Sequence, residues 1–461
     1  MTAERVRWIW LRALGCIFFS AFFSLYFQIE GLIGSRGLLP VRTYLEQLRV
    51  YAGWKRFWLA PTILWINAGD AMLQAIVWIG LIASVAIIVN VWPRVAIGVA
   101  WIAFLSFIGA AQDFASYQSD GMLLEAGLLS IFFAPRGLRP GLAAAQPLNA
   151  GALFMLRWEW FRIYFESGLV KILSGESQWR DFTAMDKYYE NGPLPTWIGW
   201  YTQQRLPHSF HAGTVAYTLL AELFLAWLVF LPKQSRRIAF VLTTPLQIGI
   251  ILTANYAFLN YLVLFLGVLL LVPAPAPAPE PAPEPETPIY QKVIFAILFI
   301  TTIFSFFARS FPLVTLFAPF RVADSYGLFA VMTRARYEIE FQGSNDGEHW
   351  IAYPFRFKPQ DPRKAPGIYA PYHPRFDWNL WFASLGDYTE NAFVLNCEAQ
   401  LLDNSPPVLR LFAGNPFGAR PPAMVRAVKW QYWFTTPAER ARTGAWWNRK
   451  LLGLYTPAIS K

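Results

Sequence analysis

Between Gly151 and Leu173 the sequence reads GALFMLRWEWFRIYFESGLVKIL, long enough to cross a bilayer yet carrying five charges: Arg157, Glu159, Arg162, Glu166 and Lys171. Charges at membrane depth are expensive and usually face a bundle interior or a wet cavity, where they serve a function. At 100° per residue, Glu159, Arg162 and Glu166 fall within about 60° of one another. Their i,i+3 and i,i+4 spacing suits a neutralising ladder. Arg157 and Lys171 lie on the opposite side, so Lys171 needs a partner from another segment. A buried lysine can act as a base, or it can pair with an acid to fix helix register. Asp120, Glu125 and Glu222 are the catalytic candidates beside it. With Asp70, Asp113, Asn255 and Asn260 they are expected to line one outward-facing cavity, which would hold a lipid or a quinone.

Other constellations carry less chemistry. His208 and His211 are three apart, but a metal site needs three or four ligands and no further partner is evident, so no metal is expected. The loop Tyr372-His373-Pro374-Arg375-Phe376-Asp377-Trp378 reads either as a partner-binding edge or as a hydrogen-bonded corner of His373, Arg375 and Asp377. There is no Gly-rich phosphate loop, no G-x-S-x-G elbow and no Cys-x-x-Cys, and no cofactor is expected. Cys16 and Cys397 lie in different regions and support neither a disulfide nor a local redox pair.

The elements that position these groups are membrane helices. Of 461 residues, 55% are hydrophobic, 17% aromatic and only 15% charged, against about 25% charged in ordinary globular domains. Several apolar runs of about 17–25 residues then indicate a polytopic α-helical membrane bundle. About nine crossings are expected, at 8–33, 62–91, 94–112, 121–135, 151–173, 213–231, 238–254, 256–272 and 289–309, with 238–272 split at Thr253-Ala254-Asn255-Tyr256. The net charge of +10 is scattered rather than clustered, so no nucleic-acid partner is expected. It fits a positive-inside bias with a cytoplasmic N-terminus, placing Arg94, Arg136, Arg139, Lys233, Arg236 and Arg237 inside. The first apolar run is too long for a signal-peptide core and is read as a retained span. The segment 34–61 carries five basic residues on the outer side among Tyr, Trp and Phe and reads as interfacial or re-entrant. The Pro/Ala/Glu stretch 273–288 reads as extended polyproline II. The bundle is expected over 1–310 and an extracytoplasmic α+β domain over 311–461. In that domain 336–342 is a half-buried strand, Ser344–Gly347 a turn, Trp350–Lys358 the return strand, 377–385 and 390–402 helices, and 425–434 a further strand.

Several segments resemble the lipase maturation factor family: Asp120-Gly121-Met122-Leu123-Leu124-Glu125-Ala126-Gly127, the stretch from Gln178-Trp179-Arg180-Asp181 to Tyr188-Tyr189-Glu190, Ser325–Met332, Tyr337–Ser344, Phe376–Ala383 and Gly444-Ala445-Trp446-Trp447. The resemblance covers nearly the whole chain. It implies a multi-pass membrane protein, of the endoplasmic reticulum in animals and of the inner membrane in a bacterial member. Such a protein acts as a chaperone for folding and maturation of secreted, homodimeric lipase-like clients rather than as an enzyme. On that reading the client contacts are exposed aromatics around Trp378, Trp381, Trp446 and Trp447, with His373, Arg375 and Asp377. A shorter motif, Tyr164-Phe165-Glu166-Ser167-Gly168-Leu169-Val170-Lys171 followed by Trp179, is similar to the catalytic-lysine segment of vitamin K-dependent gamma-carboxylases. It implies the alternative of a membrane enzyme with Lys171 as base.

Overall fold

The computed structural model describes residues 1–142, 146–273, 288–308 and 310–461. The expected polyproline II linker falls almost entirely at 274–287, outside those residues. Helices stand at each expected crossing: α1 Ala3–Ile33, α3 Asp70–Ile88, α4 Pro93–Ile108, α5 Gln118–Phe133, α6 Ala150–Leu173, α8 His208–Leu223, α9 Lys233–Thr253, α10 Leu259–Val268 and α11 Ile289–Phe307. Between them lie α2, Val41–Ala52, and α7, Trp197–Arg205. Five are long and apolar enough to span a membrane: α1, α3, α8 extended to Phe230, α9 and α11. The break after Thr253 is real, because Asn255 turns its backbone and side chain to Leu194 rather than continuing α9.

The bundle packs around α1. Gly80 on α3 admits the Phe22 ring so closely that a Cβ there would lie 2.3 Å from it, a contact only glycine allows. Phe18 and Phe22 meet Phe104 of α4 edge-on. Outward-facing Ile79, Ile82, Val95, Ile102, Ile300 and Phe307 stay exposed, giving the bundle a lipid-compatible apolar flank.

The C-terminal part is an antiparallel sheet with helices on it. Strands β1 Arg336–Ser344, β2 Ile351–Ala352, β3 Met424–Phe434 and β4 Trp447–Leu454 run in the order β2-β1-β3-β4, and the short β5, Ile459–Ser460, also pairs with β3. Helices α12, Arg375–Ala383, and α13, Ala392–Leu402, complete it.

Two strand expectations need correction. The return strand is two residues long, because Pro354 has no N–H for the ladder and the chain then turns inward, Phe357 and Lys358 donating to Asp377 Oδ1 at 3.3 and 3.1 Å. Strand β1 is buried on both faces rather than half-buried. Its polar residues Arg336, Glu338 and Glu340 are covered too, because Arg336 reaches the carbonyls of Glu190, Gly192 and Pro193 beside the bundle.

Candidate functional site: the charged seam and two cavities

All the charges of α6 but Glu159 are answered from outside their own helix. Arg162 pairs with Glu125 of α5 and donates to the Asp324 carbonyl at 2.7 Å. Tyr326 donates its hydroxyl to Glu125 Oε2 and its backbone N–H to Glu166 Oε2, each at 2.6 Å. The expected Glu159–Arg162–Glu166 ladder is therefore absent, and Glu159 has no hydrogen-bond partner among the described residues. A planar guanidinium gains more from a carboxylate met squarely on a neighbouring helix than from one a turn away on its own. Arg157 caps carbonyls at the far end of the bundle, Nε and Nη2 reaching Leu269 O at 3.1 and 2.9 Å.

Lys171 meets Glu222 of α8, with Nζ 2.9 and 2.8 Å from the two carboxylate oxygens. It also donates to Leu328 O at 3.0 Å and Ser167 O at 3.3 Å, and sits 5.0 Å from the Trp179 ring centre. Its protons are thus committed to carboxylate and carbonyl acceptors. Asp120 is held elsewhere. Arg375 of α12 grips it with two 2.7 Å bonds and gives a third, of 2.6 Å, to Phe114 O. The four catalytic candidates thus belong to three separate ion pairs.

The segment 322–333 straps across these pairs. Gln118 takes the Gly327 N–H, Ser167 the Leu328 N–H, and Trp179 donates to Phe329 O. Further along the seam, Gln28 of α1 donates to His373 O at 2.9 Å. Asn255 accepts from Tyr369 N at 2.6 Å and Ala370 N at 3.0 Å. Trp200 donates to Thr435 O and Phe434 N to Glu190. Within the sheet Glu338 receives Arg336 and Lys358.

The expected single cavity is replaced by two. One, of 640 Å³, lies among α6, α8, α9 and α10 and is lined by Lys171, Glu222 and Asn260. The other, of 630 Å³, lies between the start of α5, the strap and α12, and is lined by Asp113, Trp378 and Trp381. Asp120, Glu125 and Asn255 line neither, being bound into the seam. Asp70 is also outside both. It opens α3 rather than lying within it, and takes Ser35 N and Oγ at 2.7 and 2.6 Å.

The exposure expected of the client aromatics is also corrected. Trp378, Trp381 and Trp447 are buried, with His373, Arg375 and Asp377, and only Trp446 is partly open. His373 packs at a tilt against both Tyr117 and Trp378, and burial holds its imidazole well below the usual range, with Arg375 adding to the effect. Burial pushes the Asp377 carboxyl up to about 6. The loop is thus docked on the bundle through Arg375, while Asp377 takes the Phe357 and Lys358 N–H groups and the His373 ring has no hydrogen-bond partner among the described residues, so the three side chains do not bond one another. His208 bonds Asp186 at 3.0 Å, while His211 packs at a tilt against Tyr189.

Two family models match the chain: the lipase maturation factor transmembrane domain over residues 5–274 and the lipase maturation factor C-terminal domain over 322–457. The chain belongs to the lipase maturation factor family. Lipase maturation factor 1 of Bos taurus is 31% identical, covering 99% of this chain and 89% of its own length. The Homo sapiens protein of that name is 30% identical over 98% and 88%. Lipase maturation factor 2 of Rattus norvegicus is 29% identical over 100% and 84%. No solved structure matches. Like the family's transmembrane model, the apolar helices mark an integral membrane protein. The segments that carry the family resemblance, around Asp120, Trp179, Glu190, Tyr326 and Trp378, are the ones that build the seam.

Sequence reasoning missed Gln28, Asp324, Tyr326, Arg336 and Lys358. A signal existed for Gln28, a lone amide in an apolar run. For Arg336 and Lys358 there was none, since alternation marks which residues share a strand face but not whether that face is covered.

Proposed function

We infer that this chain is a membrane-embedded maturation factor that assists lipases in reaching their active form. Family membership through both the bundle and the C-terminal domain carries the reading. The clients are secreted, homodimeric lipase-like proteins, and the protein is a chaperone rather than an enzyme. Its units are the bundle, 1–310, and the domain, 311–461.

The nine helices cross the membrane with the N-terminus in the cytoplasm and the domain outside, in a bacterial inner membrane. Supporting this, the bonds that the crossing helices make to the strap and the domain come from the later half of α1, the start of α5, the later half of α6, and the α9–α10 turn. That alternation is what nine successive crossings produce. Arg94, Arg136 and Lys233 gather at the opposite end, as the positive-inside bias requires.

With Trp378, Trp381 and Trp447 buried, the domain offers another client surface. Strand β4 ends the sheet, and Leu451, Leu452 and Leu454 are exposed along it. An open apolar edge invites an added strand, and a folding lipase has strands to add.

The test is co-expression with a homodimeric lipase, reading client activity per unit of secreted client mass at matched membrane levels of the factor. Wild type and Lys171→Met are expected to raise it, while Leu451→Lys/Leu454→Lys is expected to lose more than half the effect. An inert wild type would sink the maturation reading, and a fully active edge variant would remove β4 as the contact.

A further inference from the structure

The cavity beside Lys171 has the walls of a lipid site. Its threonines are turned away from it: Thr202, Thr214, Thr218 and Thr253 each donate to a carbonyl four residues back in their own helices. Methyl groups and aromatic rings are left as lining. The polar points that remain are the Tyr188 hydroxyl, unpartnered among the described residues, and two paired sets. The Lys171–Glu222 pair sits on the wall with its charges cancelled. A neutral chain runs beside it, Asn260 donating to Gln247 at 2.8 Å and Gln247 to the Tyr164 hydroxyl at 2.9 Å. A phenol that accepts in this way still has a proton to give.

The opening is lateral. Helices α8 and α9 follow one another in sequence and are tied by the bond from Tyr217 to Leu242 O, but elsewhere the cavity separates them. Gly213 on α8, and Pro245 and Gly249 on α9, line the cavity and are exposed. A Cβ at either glycine would meet nothing within 4 Å. Around this mouth Phe210, Ile248 and Leu252 face outward, where a membrane protein meets acyl chains. At 640 Å³ the space falls within the range of about 300–1,000 Å³ typical of ligand sites.

We propose that this cleft binds one long-chain lipid with an uncharged, hydroxyl- or carbonyl-bearing headgroup, of the diacylglycerol type, which enters from the bilayer between Gly213 and Gly249. The tail fills the apolar volume and the headgroup meets Tyr164 and Gln247. A charged headgroup is disfavoured because the wall has no net charge and Lys171 is already paired, and burying an unanswered charge is costly. The proposal rests on the membrane placement of α8 and α9 and not on any lipase client.

The experiment uses the full chain in phospholipid nanodiscs with a photoactivatable diacylglycerol, locating labelled peptides by mass spectrometry. Label is expected on 203–222 and 245–263. It should fall at least fivefold in Gly213→Leu and Gly249→Leu, whose side chains enter empty space, and hold in Gly98→Leu on α4, where a Cβ meets only Ile131 at 4.0 Å. Label spread evenly over the outward-facing helices, or unchanged in the glycine variants, would mean boundary lipid only and overturn the site. Equal cleft labelling by a photoactivatable fatty acid would overturn the neutral headgroup. Should a glycine variant fail to fold, competition in wild type decides: unlabelled diacylglycerol must suppress cleft label saturably, and failure to do so refutes the site.

Discussion

Arg375 and Asp120 are both fully buried, and a buried pair of this kind is costly to break because the survivor keeps its charge without an answer. Arg375→Ala is therefore expected to cost about 3–5 kcal/mol, whereas Arg375→Met with Asp120→Leu should recover much of that. Thermal unfolding in detergent reads both, and a double variant as unstable as the single would show that the pair is not the cause. Glu398 of α13 makes the opposite case. It is buried, accepts from Thr456, and leaves its second oxygen unpartnered among the described residues. Burial pushes its carboxyl up from 4.5 to about 7. Between those values the folded chain holds a proton that the unfolded chain has released, so stability falls as pH rises through that window and the cost persists above it. Glu398→Gln should stabilise by about 1–2 kcal/mol at pH 8 and by almost nothing at pH 4. A melting-temperature gain equal at both pH values would contradict this. At this scale the sequence showed that Lys171 needed a partner from another segment, because a charge inside an apolar run is conspicuous by itself, while for Arg162 it pointed to the wrong acids, Glu159 and Glu166 of its own helix. It could not show which, because Glu222 and Glu125 are brought near only by helix packing.

Element positions were more legible than contacts. Apolar length and the polar break at Asn255 located the helices, since each reflects a local demand of the backbone in lipid. The strap at 322–333 was opaque, having no periodicity of its own and taking its conformation from acceptors on α5 and α6. Its anchor is Tyr326, which satisfies both Glu125 and Glu166. Tyr326→Phe keeps the ring and the backbone bond but leaves one Glu125 oxygen without its donor, at a cost of about 1–3 kcal/mol. The strap should then open more often. Trypsin cleavage at Arg321 and Arg334, which flank it, is expected to accelerate severalfold while the sheet stays protected. An unchanged rate would place the strap's stability in Trp179 and Gln118 instead.

For the whole molecule, the side on which the domain lies follows from parity. Nine crossings put it opposite the N-terminus, and merging α9 with α10 would bring it back to the same side. Helix α9 stops at Thr253, and α10 starts afresh at Leu259. Asn255 between them is bonded to Tyr369 and Ala370 of the domain, so the turn and the domain lie together. The proposed crossing of the charged α6 is supported by Arg157 reaching the end of the α10 segment at Leu269 while Lys171 meets the strap at Leu328. A variant lacking Cys16 and Cys397 makes this measurable with single cysteines at Ser235, in the basic first turn of α9, and at Asn448 on β4. In intact spheroplasts a membrane-impermeant maleimide should label the Asn448→Cys protein at once and the Ser235→Cys protein only after lysis. The reverse pattern would put the domain in the cytoplasm, away from any secreted client. Labelling of both in intact cells would mean that a helix between them fails to cross, with the short α10 the first suspect.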